Sequence, residues 1–243
     1  MNSNEIRTKF LEYFQSLDHK VLNSASLIPH DETLLFTAAG MVPLKDFFSG
    51  YKKPDNQNMT SSQKCLRTID IDIIGDTDRH LSFFEMLGNF SVGKYFKKEA
   101  ITYSYEYITK HLNIPVENLW FTVYKDDEES YDIWKNHIGV PVERIQKGNE
   151  DNFWHMNIPG PCGPCRGEAY GEEGGPIGGG EDRYIEIWNL VFMESIQDKP
   201  FEIVGELPSK NIDTGMGLER LAMVLQDKDS PFEIDTFSNM YDA

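Results

Sequence analysis

Ile6, Phe10, Tyr13, Phe14 and Leu17 recur at the helical period, so the chain opens on a predicted helix with one apolar face, closed by Asp18, His19 and Lys20. Residues 24–40 (SASLIPHDETLLFTAAG) combine a proline turn with a short apolar run, and helical spacing returns over 44–48. A polar excursion with Pro and Asn occupies 52–58. Residues 63–68 read as a strand, 70–78 as an acidic loop turning at Gly75, and 79–87 as a second, aromatic-rich strand, which together predict a hairpin. An amphipathic helix is predicted over 98–112, ending before Asn113 and Pro115. A β-prone run follows at 119–124, then a helical stretch at 128–136 with Tyr131 and Trp134 one turn apart.

The pattern becomes irregular at 152–166 (NFWHMNIPGPCGPCR), which reads as a rigid loop of proline and glycine. The glycine-rich stretch 172–181 reads as a flexible surface connection and lacks the Gly-Lys-Ser/Thr ending of a phosphate loop. Residues 183–194 (RYIEIWNLVFME) are the longest strand candidate. Alternation puts Ile187, Asn189, Val191 and Met193 on one face, with Glu186, Trp188, Leu190 and Phe192 on the other. Asn189 is the polar residue on an apolar face; a buried amide needs partners, so it either satisfies neighbouring backbone or faces a ligand pocket. Residues 211–226 (NIDTGMGLERLAMVLQ) predict strand, tight turn and helix. Leu218, Leu221, Ala222 and Leu225 form the buried stripe, and Arg220, rotated about 200° from Leu218, points away from it.

With 243 residues and 40% hydrophobic content the chain can bury a full core, as one large domain or one with an appendage. Its formal charge of -17 opposes gripping of a phosphate backbone by a broad basic surface. No apolar run approaches the roughly 20 residues that span a bilayer, and the N-terminus is polar and mixed in charge, so a soluble cytoplasmic protein without membrane contacts is expected. Cys65, Cys162 and Cys165 do not suggest a disulfide framework in a chain this long. Cys162 and Cys165 have the spacing of half a zinc site, but Cys65 and His155 are the available complements; the stretch reads as a structural loop, and no structural zinc is expected.

Two places carry candidate chemistry. Arg67 and Arg79 stand near the ends of the hairpin loop, and two guanidiniums held over a sheet suit a polyphosphate; alternatively they pair with Asp70, Asp72, Asp76 and Asp78. Gly215 and Gly217 let a flat ligand approach the main chain, with Arg220 one turn into the helix and Asp213 supplying a negative charge; alternatively Asp213 and Thr214 cap a core helix and Arg220 pairs with a neighbour.

In this order the pieces resemble motifs 2 and 3 of class II aminoacyl-tRNA synthetases. Residues 26–45 (SLIPHDETLLFTAAGMVPLK), 63–67 (QKCLR), 83–90 (FFEMLGNF), 160–165 (GPCGPC), 186–193 (EIWNLVFM) and 213–220 (DTGMGLER) resemble alanyl-tRNA synthetase catalytic domains. The resemblance implies an α+β fold, an antiparallel sheet flanked by helices, on which alanine and ATP form an aminoacyl-adenylate and pyrophosphate. It implies that Arg67 bridges the alanine carboxylate and the α-phosphate, that Arg79 holds the β- and γ-phosphates with His80 beside them, and that Met86, Gly217 and Arg220 serve the adenine end. Asp213 and Asn189 would hold the substrate ammonium, Trp154 and Ile187 would wall a methyl-sized pocket, and Gly215 would leave room for the substrate. Mg2+ is implied with ATP. Its ligands are left open, and Glu186, on the face opposite Asn189, is a poor choice.

The sequence departs from the family after GPCGPC, where a small hydroxyl residue and a glutamate usually follow but Arg166 and Gly167 stand before Glu168. Residues 1–243 match only the catalytic domain, so acceptor-stem recognition, editing and subunit association are expected to lie in regions this chain lacks. tRNA(Ala) would then be engaged weakly, through its acceptor end. The sequence is compatible with two other readings: a relative that passes an activated amino acid to a non-tRNA acceptor, and a non-catalytic binding module.

Overall fold

The computed structural model describes residues 1–241 apart from Glu32, Asp70, Asp78, Arg79, Asn157 and 172–183. The glycine-rich stretch at 172–181 therefore lies outside the described residues. In chain order the elements are α1 (Ser3–Ser16), β1 (Lys20–Leu22), α2 (Lys45–Phe48), β2 (Asn58–Leu66), β3 (Phe83–Val92), α3 (Lys97–Glu106), β4 (Leu119–Tyr124), α4 (Glu128–Asp132), β5 (Ile145–Gly148), β6 (Phe153–His155), β7 (Gly160–Tyr170), β8 (Ile185–Lys199), β9 (Glu202–Gly217), α5 (Leu218–Leu225) and α6 (Asp235–Tyr241). They divide into two compact units. One holds Met1–Lys45, Asn58–Asn89 and Thr214–Ala243; the other holds Asp46–Gln57 and Phe90–Asp213.

In the first unit the strands follow the order β1, β2, β3 and the end of β9. β1 runs parallel to β2, with Val21 opposite Thr60. α1 forms where its apolar period predicts, burying Ile6, Phe10, Tyr13 and Phe14. Asn2 and Glu5 close its N-terminus as a reciprocal capping box, which satisfies two helix-end donors at once. α1 is also tied to the start of α6, where Ser3 Oγ donates to Asp235 at 2.5 Å. α5 buries Leu218, Leu221, Ala222 and Met223. The predicted tight turn before it is absent: β9 continues to Gly217 and α5 starts at the next residue. Thr214 does not cap that helix; its hydroxyl donates to Asn89 Oδ1 at 2.7 Å and accepts from the Asn89 amide at 3.0 Å.

In the second unit the order is β9, β8, β7, β4, β5, with β6 paired to β7. The expected antiparallel sheet is present in β4–β7, β6–β7 and β7–β8, and it is mixed because β4 and β5 are parallel. The core beside it is aromatic: Trp134 lies 4.1 Å from Phe121 and is fully buried. Burying a large apolar side chain of this kind contributes about 1.5–3 kcal/mol. The predicted 98–112 helix is α3 followed by a π-helical turn, Tyr107–His111, and the 128–136 helix is α4 followed by another, Ile133–Ile138.

The rigid loop expected at 152–166 is instead β6 and most of β7. Its prolines hid the strand, since Pro lacks the N–H of a ladder and is tolerated at bulges. The β7–β8 register shifts between Cys162 and Cys165, the segment that holds Gly163 and Pro164. A Cβ on Gly163 would lie 1.8 Å from the main-chain oxygen of Phe192, so only glycine lets β8 come this close. Gly163→Ala is expected to lower stability by about 3 kcal/mol through overpacking against backbone that cannot yield. An unchanged urea midpoint would refute that register.

Candidate active site

Arg67 follows the last residue of β2, and the fold fixes it from three sides. Its amide donates to Ser82 O at 2.8 Å, its Nε donates to Ala38 O at 3.0 Å, and its guanidinium lies 5.2 Å from the Phe84 ring centroid. A cavity of about 440 Å3 opens beside it, lined by Leu34, Phe36, Ala38, Leu66 and Thr68 among others. No carboxylate among the described residues pairs with Arg67. Arg79 lies outside the described residues. His80 is held by the Thr77 hydroxyl, 2.6 Å from its Nδ1.

Met86 and Gly215 meet in the first unit. The Met86 sulfur accepts from the Gly40 amide at 3.3 Å, and it stands 2.9 Å from where a Gly215 Cβ would be. The room made by Gly215 is thus filled by a thioether. The Arg220 stem folds over Gly217, its Cβ, Cγ and Cδ 3.6–3.7 Å from the position of a Gly217 Cβ. Sequence reasoning missed Glu219. It is 7% exposed, and both its oxygens accept from the Glu85 amide, at 3.0 and 3.1 Å. Burial pushes it up to about 7, against the backbone hydrogen bonds that favour its charged form. Glu85 takes a bidentate pair from Arg7 at 2.7 Å and a Ser62 hydroxyl at 2.7 Å. Its burial acts upward, but these partners prevail and hold it below the usual range.

Trp154, Ile187, Asn189 and Asp213 belong to the second unit. Trp154 is half-buried on β6 opposite Gly163, and Ile187 is buried on β8. Asn189 sits opposite Gly167; its side chain hydrogen-bonds the Cys165 sulfur, and its Oδ1 is buried without a partner among the described residues. Cys165 is pushed up to about 12, first by burial and then by the charge of Glu186. Asp213, on the neighbouring strand β9, is pushed up to about 7 by burial alone.

Glu186 corrects the simple alternation. Glu168 pairs with Trp188 but Ala169 pairs with Glu186, so Ile187 is the extra residue of a bulge. The bulge turns Glu186 to the Gly167–Asn189 side, where its Oε2 stands 2.5 Å from the position of a Gly167 Cβ. The opposite face holds the two charged residues of the departure. Arg166 is 1% exposed, 4.2 Å from the Phe192 ring centroid and 5.3 Å from that of Trp134, with none of its nitrogens hydrogen-bonded among the described residues. Burial lowers it to about 9. Glu168 accepts from Ser104 at 2.6 Å and is pushed up to about 7 by burial. The departure therefore packs two ionisable side chains, Arg166 and Glu168, into the aromatic core, on the other side of the sheet from Asn189.

The comparisons with known proteins agree with one another. A family model described as tRNA synthetases class II (A) matches residues 5–243. The Alanine–tRNA ligase of Thermobifida fusca (strain YX) is 52% identical over 257 residues, covering 99% of this chain and 29% of that protein. That of Corynebacterium glutamicum (strain R) is 49% identical over 262 residues, covering 100% and 29%. The chain thus spans less than a third of the length of these relatives. Among solved structures, apo histidyl-tRNA synthetase of S. aureus matches with a TM-score of 0.56 at 9% identity, over 92% of this chain and 65% of that one. Pyrrolysyl-tRNA synthetase from Desulfitobacterium hafniense matches at 0.53 and 11% identity, over 96% and 72%. At those identities the likeness speaks for the fold alone.

Proposed function

The chain belongs to the class II tRNA synthetases, and from that premise we propose that it activates L-alanine with ATP, as the catalytic domain of an alanine–tRNA ligase. The observation that carries the choice of an amino acid substrate is two buried acceptors on the neighbouring strands β8 and β9 of the second unit, Asn189 Oδ1 and the Asp213 carboxyl, each of which suits an ammonium group. The choice of alanine follows its relatives.

In the proposed reaction an oxygen of the alanine carboxylate forms a bond to the α-phosphorus as the bond to the bridging oxygen breaks, and pyrophosphate leaves. No side chain serves as nucleophile; the work is positioning and charge neutralisation. Arg67 spans the carboxylate and the α-phosphate. Arg79 holds the outer phosphates with His80 beside it, while Met86, Gly217 and Arg220 take the adenine end. Asp213 and Asn189 hold the ammonium, with Gly215 beneath the substrate, and Trp154 and Ile187 bound the methyl group. Magnesium, which neutralises phosphate charge when bound with ATP, needs only one or two carboxylates in nucleotide sites; Glu186, on the Asn189 side, is a carboxylate of that kind.

Charging of tRNA by this chain alone should be weak, since its charge of -17 gives RNA little general attraction. ATP–pyrophosphate exchange tests the activation step. Alanine is expected to support it, with serine and glycine leaking through because one small group is worth only about 1–3 kcal/mol in such a pocket. A folded chain with no alanine-dependent exchange would falsify the proposal.

A further inference from the structure

Glu219 stands one residue before Arg220 and reaches Glu85, one residue before Met86. Both of its oxygens accept from the Glu85 main-chain N–H, at 3.0 and 3.1 Å, and its own amide is the other main-chain donor. A buried carboxylate is costly to desolvate, and this one is committed to the main chain rather than to a cation. The contact joins the first turn of α5 to the first turn-proximal residues of β3. It fixes the spacing between the Arg220 stem, folded over Gly217, and the Met86 sulfur, lodged against Gly40 and Gly215. The Glu85 amide belongs to β3, and the Glu85 side chain is separately held by the Arg7 fork and by Ser62. Arg7 and Ser62 hold the Glu85 side chain whereas Glu219 meets its main-chain N–H, so the two contacts are separable.

We propose that Glu219 is a positioning residue for the adenine end of the nucleotide site, holding Met86 and Arg220 at the separation of a purine ring through the Glu85 amide. The inference rests on the reading of Met86 and Arg220 as adenine contacts and assigns to Glu219 a role apart from contact with substrate. A carboxylate is well placed for it: at the second position of α5 its charge also meets the positive end of the helix.

The test separates the two ends of the nucleotide by direct calorimetric binding of adenosine and of pyrophosphate to the 243-residue chain. Glu219→Ala is expected to weaken adenosine by about tenfold, a modest share of the roughly 10²-fold that a 1 Å misplacement can cost, while pyrophosphate binding stays unchanged. Glu219→Gln keeps an acceptor for the Glu85 amide and should restore adenosine binding. If the alanine variant fails to fold, Glu219→Asp, one methylene too short to reach, should show the same selective loss. Arg7→Ala, which weakens the outer lock but leaves the Glu219 contact, should lower the melting temperature and spare adenosine. Equal loss of adenosine and pyrophosphate, no rescue by glutamine, or loss of adenosine in Arg7→Ala would each assign Glu219 a merely structural role and overturn the inference. A wild type that binds adenosine yet shows no alanine-dependent exchange removes the alanine reading and leaves the Glu219 comparison standing; one that binds no adenosine overturns both.

Discussion

Arg67→Ala is expected to lower alanine-dependent exchange by about 10²- to 10³-fold, the loss typical of removing a preorganised donor from a developing negative charge. The size of the effect follows from how the residue is held. Nε is committed to Ala38 O and the guanidinium is set against Phe84, so the side chain does not need to be ordered when the anion arrives. Among the described residues the two terminal nitrogens have no partner, which leaves them as donors for a carboxylate and a phosphate oxygen in the fork geometry that suits both. Arg67→Lys keeps the charge but loses the fork, the Nε anchor and the planar contact with the ring, and should recover little. The measurement is kcat/KM for exchange, with thermal melts to show that the first unit is intact. A loss below tenfold in a folded Arg67→Ala protein would remove Arg67 from the reaction.

Much of this arrangement is legible in the sequence because the elements carrying it obey simple periods. α1 and α5 bury most of their predicted stripes, with Leu17 and Leu225 at the ends only half-buried, and β4 falls on 119–124 as its β-branched and aromatic run predicts. The misses have a common cause: local signals that say "turn" were outvoted by pairing with a neighbouring strand. Pro161, Gly163 and Pro164 read as a loop, yet β6 and β8 flank that segment and a bulge absorbs the missing donors. Residues 202–210 are too polar to announce a strand, yet β9 begins at Glu202. Gly215 and Gly217 look like a turn but stay extended, the first because Met86 needs the space where its Cβ would be. Period-two reasoning on β8 failed at one residue, Ile187, and that one bulge moved Glu186 to the other face.

The site residues were legible by type, through the resemblance, but their partners were not. Nothing in the order of residues shows that Glu219 meets the amide of Glu85, 134 positions away, or that Thr214 locks to Asn89, 125 positions away. The Thr214–Asn89 pair is set by strand register, which sequence periodicity leaves undetermined by whole steps of two, and the Glu219 contact by how α5 packs on β3. The Arg166–Glu168 departure also reads differently once register is known. It lies among Trp134, Phe192 and Ser104, so it alters the core behind the sheet rather than the face that carries Asn189.

Alanine is expected to bind more tightly as the pH rises toward about 7. Burial alone pushes Asp213 up to about 7, so in the free chain at pH 6 its carboxyl is mostly protonated, while the ammonium it is proposed to hold needs the carboxylate. Binding then releases a proton, and the apparent KM for alanine should fall about tenfold per pH unit below that value and level off above it. The stability of the unliganded fold moves the other way. A carboxyl whose folded value is raised from 3.8 to about 7 contributes stability that is fully present below 3.8 and lost as the pH climbs through 7. The charge buried at pH 8 therefore costs on the order of a few kcal/mol until a cation meets it. Asp213→Asn should accordingly melt higher than the wild type at pH 8 without alanine, and no higher at pH 4. The same variant should raise the alanine KM by about 10²-fold or more, the scale for losing one member of a buried charged pair, and flatten its pH dependence. Melting curves at the two pH values and exchange kinetics between pH 5.5 and 8.5 check both halves. A variant that gains stability at pH 8 yet keeps the alanine KM and its pH slope would show the buried carboxylate to be a feature of the fold unconnected with the substrate amine.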